Sequence, residues 1–347
     1  MATYRSVILG CASRSEEHLR AYRLVPEAEV VACCDRNAEQ LGKFATRHGL
    51  RGYADLAEMV EKEKPDLIHV VTRPSTRVEQ LKLISELGVP ACIVEKPIAT
   101  AVQDWRALNQ LAESTSMKIG VGAQWRYSPL LGHLREALDS GRLGAPLFME
   151  ATAGSTICDQ GVHVLDWIML LNGDAPATQV FGTASGGEEL ETKHPSPNDT
   201  TAQLVFANGV YCAWTLGTTA PRVKWVYEAM PRYSHCRVAV YCERGRVLFE
   251  EFGKWEIVSA EGVETDHRTS MADWCDQNDR SQAGLTRAML RWLEDDAQPA
   301  GTNLKASLRQ WNTILGLYAS AVSRKPVELP FDPPDTLLED LTRVLKE

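Results

Sequence analysis

No apolar run in this 347-residue sequence approaches the roughly 18 residues that a membrane-spanning helix requires. The opening stretch MATYRSVILG lacks the long apolar core and cleavage site of a secretory signal and reads instead as a buried first strand. The expectation is a soluble, cytoplasmic protein with no membrane contact. Basic charge is also short: 37 Lys and Arg against 46 Asp and Glu give a formal net charge of -9, which argues against a nucleic-acid surface. The 9 cysteines, at 11, 33, 34, 92, 158, 212, 236, 242 and 275, are odd in number and lack the paired spacing of zinc ribbons. Neither a metal site nor a disulfide framework is expected, and reduced thiols suit a cytoplasmic location. Internal repeats, low-complexity tracts and long linkers are missing too.

What is present alternates in type. Short apolar runs at 6–10, 29–34, 67–71, 91–94 and 118–121 are rich in Val, Ile and Cys, as buried parallel strands are. Between them lie amphipathic segments of helical length at 16–24, 38–48, 78–87 and 102–114. A repeated strand-helix-strand order folds into a doubly wound parallel sheet, a Rossmann-type α/β domain over residues 1–122. After Gly122 the spacing predicts helices at 128–139 and 162–171, with strands at 147–153, 178–183, 200–206, 210–216, 236–242, 246–251 and 255–259. This is an α+β domain over 123–347 with an open, mainly antiparallel sheet, and a long helix at 304–322 that can return toward the first domain.

The first strand runs into Gly10-Cys11-Ala12-Ser13-Arg14-Ser15, where a dinucleotide site wants G-x-G-x-x-G. Only the first Gly is kept. Ala12 and Ser15 are nevertheless small, the amides at the helix start can face an anion, and Arg14 can add charge. The second strand ends in Asp35, twenty residues past Ser15, where a carboxylate accepts from ribose hydroxyls. Asp35 would repel a 2′-phosphate, which favours NAD over NADP, while Arg36 beside it would attract one. Asp35 can equally serve as N-cap of the helix starting at Ala38.

Val94-Glu95-Lys96-Pro97 sets a lysine at the carboxyl edge of the parallel sheet, where open α/β folds bind ligands. Farther on, Cys158-Asp159-Gln160-Gly161-Val162-His163 opens a helix, so that Asp159 and His163, four apart, are expected on one face of its first turn.

These residues resemble the Gfo/Idh/MocA oxidoreductases, a family named for glucose-fructose oxidoreductase, inositol dehydrogenase and a rhizopine catabolism protein. The resemblance spans nearly the whole chain and rests on the glycine-loop frame with His18, on Asp35, on Glu95-Lys96-Pro97, on Gln124-Trp125-Arg126-Tyr127 and on Asp159-x-x-x-His163. It implies a Rossmann domain followed by an open-faced sheet, with nicotinamide and a polyol or sugar meeting in the cleft between them. It also implies a catalytic trio of Lys96, Asp159 and His163. In that trio neutral His163 is the natural base, Lys96 steadies a developing alkoxide, and Asp159 orients the imidazole or relays its proton. Cofactor contacts implied by the same resemblance are Gly10, Ala12, Ser13, Arg14, Ser15, Asp35, Arg36, Thr72, Arg73, Pro74, Glu95, Lys96 and Gln124.

On the substrate side, Arg126 matches the family's arginine, and Trp125 and Tyr127 either stack on a sugar face or pack in the core. The family often has His where this chain has Arg77. Arg222, Lys224, Trp225 and Arg232 cluster in one segment, read either as an overhang favouring an anionic sugar or as a subunit contact. Trp274 and Trp311 read as packing groups. The leading expectation is an NAD-dependent dehydrogenase acting on a secondary hydroxyl of a sugar, sugar derivative or cyclitol, assembled as a homodimer or homotetramer. Two others stand beside it: a glycoside-cleaving enzyme that oxidises transiently and returns the hydride, and a non-catalytic dinucleotide or sugar sensor.

Overall fold

The computed structural model describes residues 4–192, 194–221, 235–251, 254–267 and 270–346. The first elements in chain order are β1 (Tyr4–Leu9), α1 (Ser13–Ala21), β2 (Ala28–Cys34), α2 (Ala38–His48), β3 (Arg51–Tyr53), α3 (Leu56–Glu63), β4 (Leu67–Val70), α4 (Arg77–Glu86), β5 (Ala91–Val94), α5 (Val102–Ser114) and β6 (Lys118–Val121). There follow α6 (Pro129–Asp139), β7 (Pro146–Ala153), α7 (Val162–Leu171), β8 (Ala177–Ser185), β9 (Asp199–Phe206), β10 (Tyr211–Leu216), β11 (Cys236–Cys242), β12 (Gly245–Glu250), β13 (Lys254–Ser259) and β14 (Gly262–His267). The last elements are α8 (Met271–Glu294), α9 (Leu304–Ser323), β15 (Val327–Glu328) and α10 (Leu337–Lys346).

Two compact units divide these elements: one of Met1–Ala99, Asp104–Tyr127 and Asn278–Leu308, the other of Thr100–Gln103, Ser128–Gln277 and Arg309–Glu347. Residues 278–308 thus join the first unit, although the sequence reading gave everything after 122 to the second.

The first unit is a six-stranded parallel sheet in the order β3-β2-β1-β4-β5-β6. The strand order reverses between β1 and β4, the point at which such sheets open a ligand crevice at their carboxyl ends. Every residue of β4 and β5 is buried, which explains why both read as continuous apolar runs. One face packs Leu67, Ala91 and Ile93 against Ala283, Leu285 and Met289 of α8. Farther along the same face, Ile8, Cys11 and Cys33 pack against Phe44 of α2.

The second unit is a nine-stranded sheet, β14-β13-β12-β11-β7-β10-β9-β8-β15, in which β7 and β10 are the one parallel pair and all other neighbours are antiparallel. Its strands alternate as half-buried strands must. Met149, Cys212, Trp214, Leu204 and Val240 are buried on one face, which α7 covers by setting Trp167 edge-on to Phe249 at 5.1 Å between centroids. Phe148, Tyr211 and Phe181 are exposed.

Several elements escaped the sequence reading, each for a stated physical cause. The largest, α8, buries Gln277, Asn278, Asp279, Ser281, Gln282 and Thr286 beside its apolar residues from Ala283 to Leu290, so its buried face is mixed and its first half lacks an apolar stripe. All six residues of β14 are exposed, which erases the alternation that marks a strand. The expected helix at 16–24 begins instead at Ser13 and tightens into a 3₁₀ turn over Tyr22–Leu24. All 9 cysteines are free thiols. Among the described residues no helix is long and apolar enough to cross a membrane.

Candidate active site

At the end of β1 the chain turns at Gly10, whose φ of +99° suits glycine; a Cβ there would stand 2.4 Å from the Val71 carbonyl oxygen. The Gly10 amide is held by the Cys34 carbonyl at 2.8 Å, and the Ser15 hydroxyl donates to the Gly10 carbonyl at 2.7 Å. That bond accounts for Ser at the third glycine position: the hydroxyl ties the helix start to the turn. Ala12 is the N-cap of α1 and offers no side-chain acceptor, and both Ala12 and Ser13 are exposed. A helix start of this kind, with no side chain capping it, suits a pyrophosphate.

Asp35 closes the loop from below. Its two carboxylate oxygens accept from the Cys11 and Asn37 amides, each at 2.8 Å. The N-cap of α2 is Asn37, whose side chain accepts from the Gln40 amide, and not Asp35 as the alternative reading had it. Asp35 is therefore positioned by the glycine turn itself. Arg36 is exposed beside it. These residues fit a dinucleotide: the turn lets a ligand approach the backbone, the helix start presents donors, and the acid stands at the end of β2.

Arg14 differs from the expectation of a charge available to the loop. Its guanidinium pairs with Glu95 at 3.0 Å and with Glu17. Glu95 and Lys96 follow β5 directly, joined to Pro97 by a cis peptide. Burial alone would push the Glu95 carboxyl up, but Arg14, His18 and Lys96 hold it well below the usual carboxylate range. Arg77 is buried and donates to the Thr72 and Lys96 carbonyls at 3.3 and 3.2 Å, with burial lowering its pKa to about 10. In place of a ligand contact it clamps the ends of β4 and β5 together. Thr72 donates to Gln80 at 2.5 Å, Arg73 is exposed, and Pro74 is buried as the first residue of a 3₁₀ turn.

Gln124, Trp125, Arg126 and Tyr127 form one 3₁₀ turn after β6, the first three of them buried. Gln124 donates to Asn278 at 3.1 Å, and Tyr127 shares its hydroxyl with Thr302. Trp125 is 2% exposed. Trp311 is buried likewise, and Trp274 donates to Glu251 at 3.3 Å.

In the second unit, Asp159 is not on the first turn of the same α-helix as His163. Residues Ile157–Gly161 form a single π-helical turn, and α7 begins only at Val162. Wide turns of this kind re-aim a side chain without breaking the helix that follows. The Ser155 hydroxyl donates to Asp159, and His163 is buried at 3% exposure. Asp159 lines an open hollow of about 220 Å³ together with Ser155, Thr156, Glu189, Asn198 and Thr218, none of the last five having been singled out in the sequence. The cluster of Arg222, Lys224, Trp225 and Arg232 lies outside the described residues.

The sequence reading also missed His69 and Tyr22, which line up with His18 and Glu95 inside the first unit. A signal existed: His69 is the polar residue in the otherwise apolar run Leu67-Ile68-His69-Val70.

The model of an oxidoreductase family with an NAD-binding Rossmann fold, Gfo/Idh/MocA, matches residues 4–123. Residues 4–123 are thus similar to the NAD-binding domain of the Gfo/Idh/MocA oxidoreductases. Curated relatives include a D-apiose dehydrogenase of Paraburkholderia graminis, 28% identical over 211 residues, covering 54% of this chain and 56% of that protein. Another is an inositol 2-dehydrogenase 3 of Saccharopolyspora erythraea, 30% identical over 194 residues, covering 52% and 57%. The match thus spans little more than half the length of these relatives. Among solved structures, an oxidoreductase from Agrobacterium radiobacter in complex with NAD+, L-tartaric acid and magnesium shares the fold with a TM-score of 0.79 at 17% identity, over 94% of this chain and 98% of that one. The likeness in fold to that oxidoreductase therefore extends through both units.

Proposed function

We propose that the protein is an NAD-dependent oxidoreductase that moves a hydride between a secondary hydroxyl of a sugar, sugar derivative or cyclitol and the nicotinamide. The observation that carries this reading is Glu95-Lys96 standing at the carboxyl end of β5 in an NAD-binding Rossmann domain, one strand from the crevice between β1 and β4. NAD is favoured over NADP because the Asp35 carboxylate, fixed by two amides, would face a 2′-phosphate with like charge.

Bound NAD supplies the hydride acceptor. The rest falls to side chains of this chain. The Lys96 ammonium donates to the substrate oxygen and stabilises charge as the hydroxyl proton leaves. His163 takes that proton on its imidazole, and Asp159 orients the ring or passes the proton on. The hollow beside Asp159 supports an uncharged polyol, since two carboxylates, an amide and three hydroxyls accept hydrogen bonds from O–H donors and repel an acid.

Self-association as a homodimer or homotetramer is part of the same proposal, supported by the exposed aromatic row of Phe148 and Tyr211, which sit opposite each other in the open sheet. The test of function is a panel of neutral sugars and cyclitols offered with NAD. Nicotinamide reduction with at least one of them, lost in Lys96→Ala, supports the proposal; silence across the panel with NAD bound counts against it.

A further inference from the structure

Inside the first unit four side chains form one line of hydrogen bonds. Glu95 Oε1 lies 2.8 Å from His18 Nε2, His18 Nδ1 lies 2.9 Å from His69 Nδ1, and His69 Nε2 lies 2.7 Å from the Tyr22 hydroxyl. Both imidazoles are 0% exposed. The line joins α1 and the 3₁₀ turn that follows it to β4 and to Glu95, the residue before Lys96 at the end of β5.

The protons on this line can be assigned. Glu95 is ionised, paired with Arg14 at 3.0 Å, and an ionised carboxylate only accepts. His18 must then carry hydrogen on Nε2. If His18 is neutral, its Nδ1 accepts from His69 Nδ1–H, and His69 Nε2 accepts from the Tyr22 hydroxyl. Every bond is satisfied with both rings uncharged.

One extra proton makes either His18 an imidazolium, with His69 donating to Tyr22, or His69 an imidazolium that donates to both His18 Nδ1 and Tyr22; in either case Tyr22 must turn its own hydrogen elsewhere. The surroundings oppose either state. Around the single charge of Glu95 already stand Arg14, Lys96 and Arg77, with Glu17 engaged by Arg14, and the Gln282 amide nitrogen sits 3.5 Å from His18 Nδ1 as a second donor. A fourth cation beside one carboxylate, in a buried site, is disfavoured. Burial lowers both imidazoles in the same sense.

We propose that His69 is a positioning residue that locks His18 in its neutral Nε2–H form, so that Glu95 keeps a constant charge and orientation beside Lys96 at the nucleotide edge of the sheet. The proposal rests on the reading of that edge as the NAD site. It predicts a cofactor site whose affinity does not vary with pH across the range in which ordinary histidines titrate.

The test has a direct arm and a functional arm. Nitrogen NMR of the histidine rings in the wild-type protein, between about pH 5.5 and 8 on either side of the ordinary imidazole value, is expected to find His18 protonated at Nε2 alone and His69 at Nδ1 alone. A doubly protonated ring in that range overturns the proposal. In His69→Leu, His18 loses the donor at 2.9 Å and keeps only the Gln282 nitrogen at 3.5 Å, so if His69 is what holds Nδ1 unprotonated the NAD dissociation constant acquires a new titration on the order of tenfold, the influence of roughly one unit charge on a neighbouring ligand. His69→Gln keeps one donor and one acceptor and stays flat with pH; it also covers the case in which the leucine variant fails to fold. A flat profile in folded His69→Leu, or a titrating one in His69→Gln, contradicts the lock. If wild-type protein binds no NAD, the proposed function fails, while the ring nitrogens still decide the lock.

Discussion

The Cys11 amide donates to Asp35 Oδ2 at 2.8 Å, so the residue after the glycine turn and the acid at the end of the next strand hold each other in place. The pair turns an isolated carboxylate into a fixed part of the nucleotide loop. Asp35→Ala is expected to weaken NAD binding by roughly tenfold or more, because it removes a ligand acceptor and leaves a backbone donor unmatched at a cost of about 1–3 kcal/mol. Asp35→Asn keeps an acceptor for Cys11 and loses the charge, so it narrows the preference for NAD over NADP. Calorimetric titration of both dinucleotides into the two variants checks this.

Gly10 and Ala12 should respond in opposite directions. Gly10→Ala adds a Cβ 2.4 Å from the Val71 carbonyl at a φ of +99°, and is expected to cost more than about 1 kcal/mol of stability together with NAD affinity. Ala12→Gly restores the second glycine of the fingerprint at an exposed position, and is expected to hold or raise affinity. Urea midpoints and binding constants of both variants decide the point.

Acid should destabilise the fold through the two buried imidazoles. Both have pKa values lowered by burial, so unfolding takes up protons as the pH falls below the ordinary value of about 6.5. Their contribution is complete above that pH and is lost below it, by about 1.4 kcal/mol per pH unit for each ring that stays neutral. Glu95, depressed in the folded chain, adds a further loss in the same direction once the pH drops below its ordinary value of about 4.3. Urea midpoints measured at about pH 7.5 and about pH 5.5 should fall for the wild type and fall less for His18→Gln, which removes one of the titrating groups.

Glu189 lines the same hollow as Asp159 and was invisible in the sequence, one acid in the run Glu188-Glu189-Leu190-Glu191. If the hollow selects neutral polyols by charge, Glu189→Gln should lower KM for a carboxylated sugar on the order of tenfold while changing KM for the neutral sugar little. Equal shifts for both substrates would remove Glu189 from that role.

Much of the fold was legible because its buried strands are short and apolar. The strand at 91–94 and the helices at 38–48 and 102–114 stand where the periodicity sets them. Candidate site residues could be placed on the fold from sequence where they follow a strand end, as Gly10, Asp35 and Lys96 do. The site was opaque where side chains far apart in sequence meet: His18 and His69 are 51 residues apart, and Glu95 pairs with Arg14 across 81. Asp159 shows a different limit. Its spacing from His163 suggested one helical face, yet the π turn at Ile157–Gly161 places it before α7, and no periodicity separates a wide turn from an ordinary one.

The most direct test of the account compares wild type with His163→Ala on a neutral polyol found to be turned over, reading nicotinamide reduction and NAD affinity on the same samples. The account predicts that turnover falls roughly 100-fold or more while NAD affinity is retained, the scale of a lost acid-base group. Equal turnover in the two proteins would contradict it.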